Sequence, residues 1–203
     1  MSIVASASVA EFFGEVVEDA MKSHGLKASE GATSYVVALL AELAKPGSPV
    51  ERTLERPLTL LLDEALKTPA RADRFEKLRT LGDGVLYSSG FFAESFEARG
   101  VDTQYVISIG RTAYENAGSI LISPGEKKED QGFDIFAELA KDFAAFVAVL
   151  SDVANATIAK SVATSRNVLK LYERWLRTGN ERLGEALASQ GFVAPRGGGR
   201  VLS

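Results

Sequence analysis

The sequence contains no cysteine, which excludes disulfide bonds, thiolate metal ligands and thiol nucleophiles at once. It contains a single histidine, His24. A Ser–His–Asp triad needs a histidine base, and a ferritin-like di-iron site needs a Glu-x-x-His pair on each of two helices. One histidine cannot supply two such pairs, and no glutamate stands three residues before it. We therefore predict no metal site and no cofactor, and we assign no catalytic residue.

Motifs for phosphate binding and for a serine nucleophile are also missing. The chain has no G-x-x-x-x-G-K-[S/T] segment, and residues 82–87 begin like G-x-G-x-x-G but end in Tyr87. Ser88 and Ser89 are not flanked by the glycine pair of a G-x-S-x-G elbow. These absences disfavour an enzyme of the common nucleotide-dependent or hydrolytic classes.

Positive charge is too sparse for a general nucleic-acid binder. The formal net charge is -4, and acidic and basic residues are interspersed along the chain. The tract from Arg196 to Arg200 carries only two charges, too few to neutralise many phosphates. We expect no nucleic-acid partner.

Long apolar runs are absent as well. The most apolar stretch, residues 143–150, is far shorter than the roughly 20 residues that a membrane helix needs. The N-terminal stretch lacks the basic residues of a signal peptide, since the first Lys or Arg is Lys22. We expect a cytoplasmic protein without a membrane segment. The abundance of alanine and the excess of arginine over lysine suggest a bacterial origin.

Apolar residues at helical spacing dominate the sequence. In the first predicted helix, Val9, Phe12, Phe13, Val16 and Val17 follow the i, i+3, i+4, i+7, i+8 pattern. No segment shows the alternation of a half-buried strand. With 46% hydrophobic and 25% charged residues, the composition is that of a globular protein. We predict an all-α, single-domain helical bundle of about seven helices.

The predicted boundaries follow from prolines, glycines and capping residues. A frayed arm (1–5) precedes an all-helical domain (6–193) and a flexible tail (194–203). Within the domain, Pro57 opens the third helix, Asp102 caps the fifth, and Gly179 is a joint in the last helix or helix pair. The remaining expected elements are a first helix starting near Ser6 or Ser8, a second over 32–44, a fourth over 69–99, a charged connection over 126–131 and a sixth helix from Gly132.

The fourth predicted helix carries an unusual combination of residues. Gly82, Gly84 and Gly90 weaken it, and each costs about 1 kcal/mol relative to alanine in an exposed helix. Such glycines let a neighbouring helix approach closely or make room for a ligand. We favour a tight packing seam with a satisfied polar network over a pocket. The candidate ligand-binding residues of this region are Arg79, Asp83, Tyr87, Tyr105, Arg111 and Tyr114.

Two single residues have simpler interpretations. His24 ends the first helix, where an imidazolium interacts favourably with the helix carbonyls, so we expect a surface role. Trp175 belongs to an apolar stripe with Tyr172 and Leu176, so we expect it to pack the last helix onto the bundle rather than to anchor a partner.

No motif assigns the chain to a family of known activity, so function rests on weaker arguments. The leading hypothesis is a non-catalytic interaction or regulatory protein that binds another protein, or a second copy of itself, through apolar helix faces. The first alternative is a small-molecule sensor with an inter-helix pocket near Asp83, Tyr87, Tyr105 and Arg111. The second is an enzyme that uses carboxylates or tyrosine.

Overall fold

The computed structural model describes residues 2–44, 56–121, 134–160 and 165–189, with side chains over 9–44, 56–121, 134–159 and 171–189. This part of the chain forms ten α-helices and no strand, so the predicted all-α class is confirmed. The helices are α1 (Ser2–His24), α2 (Glu30–Leu43), α3 (Leu58–Leu66), α4 (Arg71–Phe91), α5 (Ala93–Ala98), α6 (Thr103–Leu121), α7 (Ile135–Lys141), α8 (Phe143–Lys160), α9 (Ser165–Thr178) and α10 (Glu181–Ser189).

Three predicted helices are divided, which explains ten helices instead of about seven. The fourth breaks at Phe92 and the sixth at Asp142, where the backbone leaves helical dihedral angles. The last breaks at Gly179, whose φ of 62° is readily adopted only by glycine. Asn180 then caps α10, because its side-chain oxygen accepts from the Arg182 N–H at 3.0 Å.

Three predicted starts differ from the structure. The fourth helix, expected from position 69, begins two residues later as α4, at Arg71. The helix α1 begins at Ser2, inside the stretch expected to form a frayed arm (1–5), and it needs no cap at Ser6 or Ser8. No glycine or proline occurs among residues 2–13, so nothing in the backbone prevents the helix from extending to this point. The helix α2 begins at Glu30, because the Ser29 hydroxyl accepts from the Ala32 N–H at 3.1 Å.

The chain divides into two compact units, residues 1–153 and 154–203. In the first unit α4 packs mainly against α6, α6 against α7, and α1 against α2. The core of this unit consists of large, fully buried side chains from six helices. They include Val17, Leu40, Leu78, Leu86, Tyr114, Leu139, Phe143, Phe146 and Leu150.

The helix α4 runs without interruption through Gly82, Gly84 and Gly90, contrary to the expected weakening. Its second half is buried nearly all round, and only Tyr87 between Leu81 and Gly90 is not fully buried. Neighbouring elements therefore exclude water from the backbone that glycine would otherwise expose. Tertiary packing outweighs the low helix propensity here.

The second unit has its own small core. Leu171 of α9 and Leu183 and Leu187 of α10 are buried together, and Trp175 packs against them. The expectation that Trp175 packs the last helix onto the bundle stays a prediction. Gly184 lies under the indole, with its Cβ position 3.0 Å from the Trp175 Nε1 atom.

Three predictions fall outside the described residues. They are the tail (194–203), the charged connection (126–131) and the helix start at Gly132. The single-domain prediction also stays a prediction.

Candidate functional site

The most distinctive polar group of the protein is the carboxylate of Asp83, on the buried half of α4. It is 2% exposed. Its Oδ1 atom accepts hydrogen bonds from the Tyr35 hydroxyl at 2.6 Å and from the Tyr114 hydroxyl at 2.7 Å. Its Oδ2 atom accepts from the Arg79 guanidinium at 3.3 Å. We call Tyr35, Arg79, Asp83 and Tyr114 the Asp83 cluster.

Three helices, α2, α4 and α6, bring these side chains together. Arg79 and Asp83 are four residues apart on α4, so they share one face of that helix. Tyr114 reaches Asp83 from α6, and Tyr35 reaches it from α2. Arg79 bridges to the surface, because its Nη2 atom donates to the Glu76 carboxylate at 2.9 Å.

Small residues allow α4 and α6 to approach closely at the Asp83 cluster. A side chain at Gly82 would overlap the Tyr114 ring, and one at Gly110 would overlap Val85 and Phe143. The Tyr114 ring is fully buried, and its centre lies 5.7 Å from that of Phe143. This close packing of α4 against α6 agrees with the interpretation of the glycine-rich region as a packing seam.

Burial dominates the electrostatics of Asp83. It raises the pKa of the carboxyl from 3.8 to about 6, although the two tyrosine hydroxyls and Arg79 favour the charged form. Burial and the negative charge of Asp83 both raise the pKa of Tyr35 and of Tyr114. These hydroxyls therefore stay protonated and donate at neutral pH.

Arg79 stays a cation under the same conditions. Burial lowers the pKa of its guanidinium, but the hydrogen bond to Glu76 and the charge of Asp83 more than offset that effect. A buried carboxylate with three donors is a satisfied group, and it fixes the relative positions of α2, α4 and α6. The cluster is thus suited to holding the bundle together.

The structure brings together only some of the predicted site residues. Arg79, Asp83 and Tyr114 meet in the cluster, whereas Tyr105 is 50% exposed and Arg111 pairs with Glu115 at 3.3 Å on the surface of α6. Tyr105 and Tyr114 are nine residues apart, about two and a half turns, so they point to opposite sides of the helix. As ligand-binding residues, these side chains stay a prediction.

Tyr87 lies one turn beyond Asp83 on α4. Its ring centre is 4.7 Å from that of Phe91 and 5.5 Å from that of Phe92, so it belongs to an aromatic group at the end of α4. The residue that sequence reasoning missed is Tyr35. Its hydroxyl gave no distinctive signal, because Thr33 and Ser34 precede it in the same helix.

His24 contacts an acid rather than only the end of its helix. Its Nε2 atom lies 3.1 Å from Asp152 Oδ2, and both side chains are partly exposed. The nearby Ser23 hydroxyl donates to the Ala20 carbonyl at 2.8 Å. The Ser23 hydroxyl is thus already engaged within α1. The contact between His24 and Asp152 resembles a surface ion pair.

Two surface depressions lie along α3 and α6. We call the first the cleft: its volume is about 400 Å³, and neither Asp83 nor its partners line it. We call the second the recess: its volume is about 530 Å³, and it lies where the end of α6 meets the start of α4. The recess is lined by Leu66, Arg71, Arg74, Leu78, Asn116, Ser119 and Ile120. The cleft is lined by Arg56, Pro57, Leu58, Thr59, Phe96, Arg99, Val101, Tyr105 and Val106.

Comparison of the chain with protein-family models, with curated proteins and with solved structures finds no match. Within the described ranges, no group of three or more acidic or histidine side chains is arranged to hold a metal ion. In the same ranges, no single helix has the length and hydropathy of a membrane span. The helices 135–141 and 143–159, which are bent by 84° relative to each other, together reach the length and hydropathy of a span. This rests on length and composition alone. Function is therefore inferred from the residues of this chain.

Proposed function

We propose that this protein is a non-catalytic interaction protein that binds another protein through α3. The observation that carries the proposal is the incomplete burial of the most apolar face of this helix. The face follows i, i+3, i+4, i+7, i+8 spacing, as expected of a core-facing stripe. It consists of Leu58, Leu61, Leu62, Ala65 and Leu66, which we call the α3 stripe.

Only Ala65 of the α3 stripe is buried in the isolated chain. Leu66 is 40% exposed, and the other three leucines are partly exposed. Leu60, outside the stripe, is 53% exposed. An amphipathic helix from a partner would cover leucines at this spacing and remove their apolar surface from water.

Polar groups surround the stripe in a way that suits an interface. Arg56 and Glu64 form a two-pronged ion pair at 2.5 and 3.0 Å, and Lys67 donates to Asp63 at 2.7 Å. All four side chains are at least half exposed. An apolar centre within a polar, solvent-accessible rim is typical of protein interfaces.

The first partner to consider is a second copy of the chain, since symmetric homo-oligomers are common. A regulatory role, a bacterial origin and a cytoplasmic location stay predictions from the sequence. The cluster around Asp83 supports this function indirectly, because it fixes the helices against which α3 packs.

The test compares two leucine-to-glutamate variants. Leu66→Glu places a charge on the α3 stripe, whereas Leu176→Glu makes the same change at a 59% exposed leucine of the second unit. Light scattering coupled to gel filtration should show a dimer or larger species for the wild type and for Leu176→Glu. It should show a monomer for Leu66→Glu.

If the wild type is a monomer, the partner is a different protein. A photo-crosslinking residue at position 62 should then give a discrete crosslinked species in the protein's own host, and Leu66→Glu should remove it. A monomeric wild type without any crosslinked species would overturn the proposal.

A further inference from the structure

We propose that the cleft binds a small amphipathic carboxylate, of which a medium-chain fatty acid is the simplest example. The cleft lies where the start of α3 meets the turn between α5 and α6. Of the predicted ligand-binding residues, only Tyr105 lines it. The proposal concerns a site other than the Asp83 cluster and does not depend on binding through the α3 stripe.

The interior of the cleft is apolar. Phe96 and Val106, 5% and 1% exposed, form part of the core, while Leu58 and Val101 are partly exposed beside them. Tyr105 adds a half-exposed ring with a hydroxyl. A volume of about 400 Å³ is within the range of small-molecule sites, roughly 300–1,000 Å³.

The charge at the edge of the cleft is positive. Two arginines and no acidic residue line it. Arg56 is already paired with Glu64, but Arg99 forms no ion pair within the described part of the chain. The nearest acids along the chain, Glu97 and Asp102, do not line the cleft. Asp102 is engaged as a cap, because its Oδ1 atom accepts from the Gln104 N–H at 2.8 Å.

The start of α3 adds to this positive potential. Pro57, Leu58 and Thr59 line the cleft, so the first turn of the helix lies at its wall. No side chain caps this end, and the first turn contains no acidic residue. A helix N-terminus without a capping acid favours a negatively charged ligand group.

These features together define the ligand. The apolar interior requires an apolar body, and Arg99 with the start of α3 requires an anionic head. A carboxylate accepts two hydrogen bonds from a guanidinium in one plane, which suits Arg99. A neutral or cationic amphiphile of the same length would leave Arg99 without a counter-charge.

The test measures binding of sodium decanoate below its micelle concentration by calorimetry and by methyl NMR. We expect chemical-shift changes at Leu58, Val101 and Val106, weak binding of butyrate, and no binding of decylamine at these residues. Arg99→Gln should raise the Kd of decanoate about tenfold, as expected for loss of a charge-assisted hydrogen bond. Arg111→Gln, at an exposed arginine of α6 that does not line the cleft, should change the Kd less than about twofold.

Every result of this experiment either supports or contradicts binding of decanoate in the cleft. Because Arg99 is exposed, Arg99→Gln should retain the wild-type circular dichroism spectrum. Equal binding of decylamine and decanoate, an unchanged Kd in Arg99→Gln, or shift changes confined to other surfaces would overturn the proposal. No detectable decanoate binding in the millimolar range would do the same.

Discussion

The neighbouring helices α3 and α4 differ in burial in the opposite sense to their apolar content. The helix α3 contains five leucines among nine residues, and its only buried side chain is Ala65. The second half of α4 contains glycines, serines and Asp83, and ten of the residues of α4 are buried. The more apolar helix is thus the more exposed one.

The contrast shows what decides burial in this protein. Gly82 and Gly90 on α4 let Tyr114 and Leu150 come close, and each carboxylate oxygen of Asp83 has a donor. Close approach at the glycines and the satisfied carboxylate of Asp83 therefore allow the second half of α4 to be buried. The apolar surface of α3 remains available for another molecule.

The largest effect expected in this comparison is that of Asp83→Ala. Removing the carboxylate leaves the Tyr35 and Tyr114 hydroxyls without their acceptor and the Arg79 charge partly unpaired. We expect the free energy of unfolding at pH 7 to fall by about 3–5 kcal/mol in a urea titration. Asp63→Ala, the same change at an exposed acid of α3 paired with Lys67, should cost less than about 1 kcal/mol. Similar losses of unfolding free energy in Asp83→Ala and Asp63→Ala would contradict the difference in burial between α4 and α3.

The pH dependence of stability tests the burial of Asp83 directly. The unfolded chain releases this proton near pH 3.8 and the folded chain near pH 6, so the folded state holds the proton longer. The contribution of Asp83 to the free energy of unfolding should therefore fall by about 3 kcal/mol as the pH rises from about 4 to about 7, and change no further above that.

The control for this experiment is Asp83→Asn, which cannot titrate at position 83. Subtracting its pH profile from that of the wild type removes the contribution of all other acids. A difference that stays constant between pH 4 and 6 would show that Asp83 is not buried as the structure has it. The carboxyl ¹³C shift of Asp83 gives an independent measure of the same titration.

Much of the fold was predictable because apolar spacing and capping residues are local signals. The end of α1 and the starts of α3 and α6 fall within a residue of the expected positions. The breaks at Phe92 and Asp142 were not predictable, since neither position carries a proline or a glycine. At Asp142 the helix direction changes by 84° between α7 and α8.

Of the Asp83 cluster, the sequence indicated only the residues on α4 and α6. Arg79 and Asp83 share a face by spacing alone, and Tyr114 was among the residues singled out. Tyr35 is 48 residues from Asp83 in sequence, and nothing in one sequence indicates such a contact. The cleft combines three separate segments, so only its Tyr105 was identified beforehand.

A comparison of two glycine-to-alanine variants tests how closely α4 packs against α6. Gly82→Ala places a methyl group against the fully buried Tyr114 ring, which cannot move aside, so we expect a loss of about 1–3 kcal/mol in the free energy of unfolding. Gly14→Ala, in α1, meets no atom within 4 Å and should stabilise the protein by about 0.5–1 kcal/mol. Stabilisation by both changes would mean that α4 and α6 are not closely packed.

The smallest expected effects belong to α3. Leu60→Ala and Leu66→Ala should each lower the free energy of unfolding of the isolated chain by less than about 1 kcal/mol, because these side chains are already 53% and 40% exposed. The same change at the buried Leu78 of α4 should cost about 2–5 kcal/mol. Urea titrations at low protein concentration separate the isolated chain from any dimer. A loss of 2 kcal/mol or more at Leu66 under those conditions would mean that the chain itself covers the α3 stripe. The incomplete burial of α3 would then no longer support an interface there.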